Sequence, residues 1–365
     1  MADRLLRDFR RWLTAKASFG AAGLAPLAPW LAIDLLEWAL GRVGPRLPVL
    51  GRMVRDNMRA AGVCDRAVVD AYFRQVALHL SNAVRIFRLK RDLAAVAALA
   101  RREVVPDETI EYARRAAEQG RGAIIVPAHA CNFLVSLPRL GGELPLCIYL
   151  RWTKDRRRVE IKRQWCRTAG LEVIVEPANA ADPTSRAAAC VEALRQGKLL
   201  VITPDIAQRC DKGVAVRWLG RTAYLPAGPA ALAMLADVPM IPLFARLARR
   251  PSAHGDSASG SRVPIHVPYF EEPITVRRLP RSEGGRQESL RLAMQTWADG
   301  FSRFIRDCPE AWLLWGDSRW TRVLRGDPKY AGEANEPSNQ VEQPNVTARL
   351  SPSAPPVIAP IQETA

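Results

Sequence analysis

The sequence predicts an α/β fold in which a largely parallel central sheet is flanked by helices, with an N-terminal amphipathic, membrane-associating helical region before it. Three observations lead there. After residue 120, short and almost wholly apolar runs alternate with segments of helical period, the pattern of strands buried on both faces and joined by crossover helices. Before residue 60, an apolar stretch bearing Trp30 and Trp38 lies between basic flanks. From Ala331 onward the composition turns to Pro, Ser, Gln and Asn without an aromatic residue, which predicts a disordered tail. The expected organisation is therefore 1–60 membrane-associating, 61–330 α/β, and 331–365 tail.

No small-residue cleavage site follows the N-terminal apolar stretch, so a secretory signal is not expected. Residues 19–40 hold Pro26, Pro29, Asp34 and Glu37, a poor match to the roughly 20 apolar residues of a bilayer span. WLAIDLLEWALGRV is better read as an amphipathic helix, with Trp30, Ile33, Leu36 and Leu40 on an apolar stripe and Asp34 and Glu37 off it. Arg4, Arg7, Arg10, Arg11 and Lys16 precede it, and Arg42, Arg46, Arg52 and Arg55 follow. Basic flanks suit a helix lying in an anionic membrane interface. The alternative is an ordinary helix packed on the domain.

Residues 60–117 carry a helical pattern that includes His79, read as a structural histidine. Strands are expected at 122–128, 145–150, 171–176, 198–205 and 239–247. Helices are expected at 156–169, at 183–196 behind an Asp182 cap, at 227–236 and at 287–306. The Gly/Ser-rich piece 251–262, with His254, reads as a mobile loop, and His266 falls in a further strand without a motif around it.

The formal net charge is +16, from 53 basic and 37 acidic residues, and points to a polyanionic partner. No recognised nucleic-acid motif accompanies it, which leaves anionic membrane and acidic proteins. The seven cysteines, Cys64, Cys131, Cys147, Cys166, Cys190, Cys210 and Cys308, are scattered without Cys-x-x-Cys. They predict a reducing compartment, no disulfide framework and no metal site.

The segment VPAHACNFLVSL carries the chemistry. His129 directly follows a buried strand, where open α/β sheets bind ligands, and Ala128 and Ala130 leave its imidazole accessible. A histidine so placed can serve as a general base at neutral pH. The residues around it resemble the bacterial lipid A biosynthesis acyltransferase family, a branch of the lysophospholipid acyltransferase superfamily, over residues 45–325. His129 and Asn132 match a block of the form His-x-Gly-Asn-Trp-acid. IYLR (148–151), RTAGLEVI (167–174) and ITPD (202–205) follow in family order. GVAVRWLGRTAYLPAGPAALA (213–233) and PEAWLLWGDSRW (309–320) complete it.

The resemblance implies acyl transfer from a thioester co-substrate, acyl carrier protein or coenzyme A, to a hydroxyl of a lipid or glycolipid, with no bound cofactor. It implies a place at the cytoplasmic face of a bacterial inner membrane. His129 would take the hydroxyl proton, and Asn132, Arg151, Arg221 and Gly228 would bind substrate. Backbone N–H groups near Asn132, or Arg151, would stabilise the thioester oxyanion. One departure stands out. The family's acidic partner, five positions after the histidine, is here Leu134. Asp205 and Asp211 are the candidate replacements, although the resemblance puts Asp205 beside the acceptor pocket rather than behind the histidine. Cys131 would either fill a glycine position or act as a nucleophile. The basic run 151–167 would be a solvated helix face, or a dock for acidic carrier protein or lipid phosphate. Two other functions stay open: a non-catalytic binder of acyl lipid or carrier protein, and an N-acyltransferase. Trp152, Trp165 and Trp218 read as core residues rather than as the lining of an acyl groove.

Overall fold

The computed structural model describes residues 29–89, 92–100, 105, 107–118, 122–130, 133–150, 156–175, 183–247 and 266–332. Five helices lead in: α1 (Trp30–Val43), α2 (Leu50–Ala60), α3 (Arg66–Arg88), α4 (Leu93–Ala100) and α5 (Asp107–Glu118). Asp65 starts α3 by accepting the Ala67 N–H, an N-cap that satisfies a donor the helix leaves open. Then come β1 (Ala123–Pro127), α6 (Phe133–Gly141), β2 (Leu146–Leu150), α7 (Arg156–Thr168), β3 (Glu172–Val175), α8 (Pro183–Arg195) and β4 (Leu199–Val201). After β5 (Val214–Trp218) and β6 (Arg221–Leu225) follow α9 (Gly228–Ala236), β7 (Met240–Leu247), β8 (His266–Phe270), α10 (Gly285–Asp307), α11 (Ser318–Leu324) and α12 (Pro328–Ala331).

The sheet order is β3-β2-β4-β1-β7-β8. Every neighbouring pair is parallel except β7 with β8. The expected largely parallel sheet with helices on both faces is the observed one. Alternate residues of β1 point into two cores. Ile124 and Val126 join a large aromatic core, whereas Ala123 and Ile125 join a smaller aliphatic one. At the start of β1, Gly122 has φ +65°, and a Cβ there would meet the carbonyl oxygens of Lys198 and Leu194 at 2.5 and 2.8 Å, so the strand can begin only with glycine.

Several expectations are corrected. The strand expected at 198–205 is only Leu199–Val201 long, because Pro204 has no N–H to extend the ladder. The stretch 213–225 forms a hairpin that the pattern did not announce, turning through Leu219 (φ 48°) and Gly220 (φ 77°). Both left-handed angles fit the two-residue turn whose twist matches a hairpin. The Leu219 N–H donates to the Ser302 hydroxyl on α10, a tertiary contact that helps hold the unusual leucine. Ala331, where the tail was expected to begin, closes α12, which Asp327 caps. Residues 333–365, Asp182, the loop 251–262 and Trp152 lie outside the described residues.

Helix α1 keeps Asp34 and Glu37 off its apolar side, as expected, but Trp30 lies with them. Its contact face with α3 is polar. Glu37 accepts from Ser81 (2.6 Å) and Arg85 (2.7 Å), Asp34 accepts from Arg85 (2.8 Å), and Gly41 lies against Arg74 and Ala77. Trp30 sits under Arg88 at 5.1 Å. These positions, 30, 34, 37 and 41, form one helical stripe. The apolar side chains point outward instead: Leu31 is 79% exposed, Trp38 63% and Leu35 62%, and only Ile33 of the helix is buried. The exposed apolar run continues through Val43, Leu47, Val49 and Leu50. Among the described residues no helix is long and apolar enough to cross a membrane.

Candidate active site

The parallel pairing of β1 with β4 sets the site. Ile125 lies opposite Val201, and His129 and Asp205 each follow four residues later. Neighbouring strands run about 4.8 Å apart, so two side chains leaving them in the same register meet. Nδ1 of His129 lies 2.6 Å from Oδ1 of Asp205, and the His129 backbone N–H donates to Oδ2 at 2.7 Å. Asp205 is fully buried, while the His129 side chain keeps 22% of its exposure.

A buried carboxylate is costly unless its oxygens are satisfied. Two indoles complete the set. Trp312 Nε1 donates to Oδ2 at 3.0 Å, and Trp320 Nε1 donates to the Asp205 carbonyl at 2.9 Å. Both indoles stand in an aromatic stack with Trp218 from the hairpin and Phe301 from α10. The His129 carbonyl accepts the Leu313 N–H at 2.8 Å, and Ala130 bridges to Trp312. The imidazole is thereby fixed from both sides of its own backbone. With Oδ2 occupied by two N–H donors, Oδ1 is free to accept Nδ1–H, which assigns the tautomer and leaves the lone pair on Nε2. An imidazole oriented in this way can accept a proton from a hydroxyl.

Leu134 takes no part, being partly buried against the aliphatic core. Asp211 is paired with Arg209 at 3.1 Å, both about half exposed, instead of with the imidazole. Arg221 donates to the Ala60 carbonyl and ties the hairpin to α2, rather than pointing at the His129–Asp205 pair. Gly228 begins α9 and lines an apolar cavity of about 640 Å³, with Tyr149, Cys190, Ile202, Ala231, Leu232 and others. This cavity lies on the aromatic-core face of the sheet. Asn132, Arg151 and Cys131 lie outside the described residues.

Six residues around the histidine were not singled out as site residues by sequence: Phe133, His79, Asp317, Arg319, Trp312 and Trp320. Phe133 meets the His129 ring edge-on at 5.5 Å, and its other neighbour is His79 at 4.9 Å. Asp317 and Arg319 form a two-pronged ion pair, with Arg319 Nε 2.9 Å from Oδ1. Burial works against the Asp317 charge, but the Arg319 guanidinium, helped by the nearby His129, holds its carboxyl below the usual range. The signal available for Trp312 and Trp320 was their place in one aromatic run; nothing in that run said which atom they would donate to.

The sequence profile of the family described as bacterial lipid A biosynthesis acyltransferase matches residues 64–322, well over half of the chain. The chain belongs to this family. It is an acyltransferase by descent, and the resemblance found in its motifs is the correct one. Among solved structures, the chain is similar to the 1-acyl-sn-glycerophosphate (LPA) acyltransferase PlsC from Thermotoga maritima. The two share 13% identity over 75% of this chain and 96% of that one, with a TM-score of 0.33. No curated protein matches the chain.

Proposed function

We propose that this acyltransferase moves a fatty acyl group from acyl carrier protein or acyl-coenzyme A to a hydroxyl of a lipid or glycolipid, with His129 as general base. The observation that carries the reading is the His129–Asp205 pair, capped by Trp312. The hydroxyl oxygen bonds to the thioester carbon as Nε2 of His129 accepts its proton. The tetrahedral intermediate collapses by breaking the C–S bond, and the departing thiolate takes the proton back from the imidazolium. Asp205 holds the tautomer and faces the imidazolium as it forms, the part that a carboxylate plays behind a catalytic histidine. Asp205 thus stands in for the acidic residue that the family carries where this chain has Leu134. This removes the chief reason for a non-catalytic reading.

The cavity between α8 and α9 suits an acyl chain. Its lining is mainly apolar, with Arg278, Arg286 and Ser289 also on its wall, and Ile202 directly follows β4, the strand that leads to Asp205. The outward apolar face of α1 supports docking in the cytoplasmic leaflet of the inner membrane, where a lipid acceptor resides. Helix α7 presents Arg157, Lys162, Arg163 and Arg167 at the surface, a fit to an acidic carrier protein.

The test is transfer by the purified protein in anionic mixed micelles, from radiolabelled lauroyl-carrier protein and lauroyl-coenzyme A to a panel of hydroxyl lipids. An ester-linked product that His129→Ala abolishes is expected. An amide-linked product would replace the hydroxyl acceptor by an amine, and thioester binding without transfer would overturn the catalytic reading.

A further inference from the structure

Helix α3 brings a second histidine against the phenyl ring that His129 also touches. The His79 ring packs on Phe133 with centroids 4.9 Å apart and planes 36° apart, while the His129 ring meets that same phenyl edge-on at 5.5 Å. Two imidazoles from elements 50 residues apart thus share one aromatic neighbour. Nδ1 of His79 is buried and has no hydrogen-bond partner among the described residues. Leaving such an atom unpaired costs about 1–3 kcal/mol, and apolar side chains of similar shape would avoid that cost. A polar atom kept unpaired beside a reactive histidine is a place for a substrate atom.

We propose that His79 is a catalytic residue whose Nδ1–H donates a hydrogen bond to the carbonyl oxygen of the acyl thioester as the acceptor hydroxyl attacks. The inference rests on the acyl-transfer reading above. When the new C–O bond forms, the carbonyl π pair moves onto oxygen, and the negative charge returns to the carbon as the thiolate leaves. A donor at that oxygen is worth most when it is neutral, preoriented and shielded from water. His79 meets these conditions. Burial, reinforced by the charge on His129, pushes its imidazole down to about 3. It therefore stays uncharged at working pH, does not compete for the hydroxyl proton, and does not repel the imidazolium that forms on His129. A lysine or arginine here would do so. The main-chain donors of the helix start and the His79 N–H would then approach the oxyanion from different elements.

The test compares His79→Phe and His79→Asn in the micelle assay, with His129→Ala as the control. Phenylalanine keeps the packing on Phe133 and removes the donor, while the asparagine amide restores an N–H near the Nδ1 position. The expected result is a loss of about 10²–10³-fold in kcat for His79→Phe. KM should stay within twofold and melting temperature should be unchanged or higher, and His79→Asn should recover at least tenfold of the lost kcat. A His79→Phe protein with kcat within threefold of the parent overturns the proposal, as does a loss confined to KM, which would assign His79 to acceptor anchoring. A fall in melting temperature without rescue by asparagine overturns it too, in favour of a packing role. If the parent protein transfers nothing to any acceptor, the acyl-transfer reading itself falls and takes this inference with it. That outcome is distinct from an active parent with an indifferent His79.

Discussion

Two clusters of acids anchor this molecule, one sealed in the core and one at an exposed rim, and they solve opposite problems. Asp205 is sealed in the aromatic core, where two indole N–H groups, a backbone N–H and an imidazole use its oxygens. Asp34 and Glu37 sit at the rim between α1 and α3, where one guanidinium, Arg85, serves both. In the core cluster the carboxylate can stay inside because N–H donors satisfy its oxygens. In the rim cluster the carboxylates reach α3 because the apolar face of α1 is turned the other way. A helix with its charges toward the protein and its leucines toward the surroundings offers the apolar surface that the proposed membrane docking requires. Helix α3 links the two, presenting His79 to the first, and Ser81 and Arg85 to the second.

The contrast can be broken in a graded series. Asp205→Asn keeps the volume but no longer holds the required tautomer, and kcat should fall by about 10⁴-fold while the far-ultraviolet circular dichroism stays unchanged. Replacing Leu31, Leu35 and Trp38 by Gln should leave kcat in detergent untouched. It should weaken binding to vesicles containing phosphatidylglycerol by about 10³-fold or more, measured by sedimentation, since each buried apolar side chain is worth about 1.5–3 kcal/mol. Trp312→Phe removes one donor from Oδ2, a bond to a charged group worth about 1.5–3 kcal/mol. A loss of roughly 10- to 10²-fold in kcat with a lowered melting temperature is expected. A separate effect, on stability and not on activity, appears in acid. His79 is neutral in the folded chain down to about pH 3, whereas an unfolded histidine protonates near pH 6.5. The unfolded state therefore binds the extra proton between these values. The stability this group contributes is complete above about pH 6.5 and is lost progressively toward pH 3, at up to about 1.4 kcal/mol per pH unit. The acid limb of a denaturation series should be shallower in His79→Phe by that amount.

The parallel sheet was legible because its strands are buried on both faces, so each appears as a bare apolar run such as AIIV or LLV between amphipathic helices. The hairpin was not, because Leu-Gly is a weak turn signal and the two left-handed residues depend on contacts with α10. For the site, His129 was legible from its place after a strand. Asp205 was named only as one of two candidates, because its distance of 76 residues from His129 is erased by strand register and by nothing in the local sequence. Asp211 lies six residues further on and ends at the surface with Arg209. For α1, spacing placed Trp30 on the apolar stripe, whereas it turns to α3 under Arg88, because spacing alone does not say what a neighbouring helix offers.

The aromatic segment that completes the Asp205 cage also sets a clock. Ribosomal synthesis delivers His129 and Asp205 long before Trp312 and Trp320. A nascent chain that has emerged only through β7 holds a histidine and an acid without the indoles that orient them and without the Leu313 N–H that pins the histidine's carbonyl. On the acyl-transfer reading proposed above, a chain released before this last stretch would lack the groups that orient its histidine.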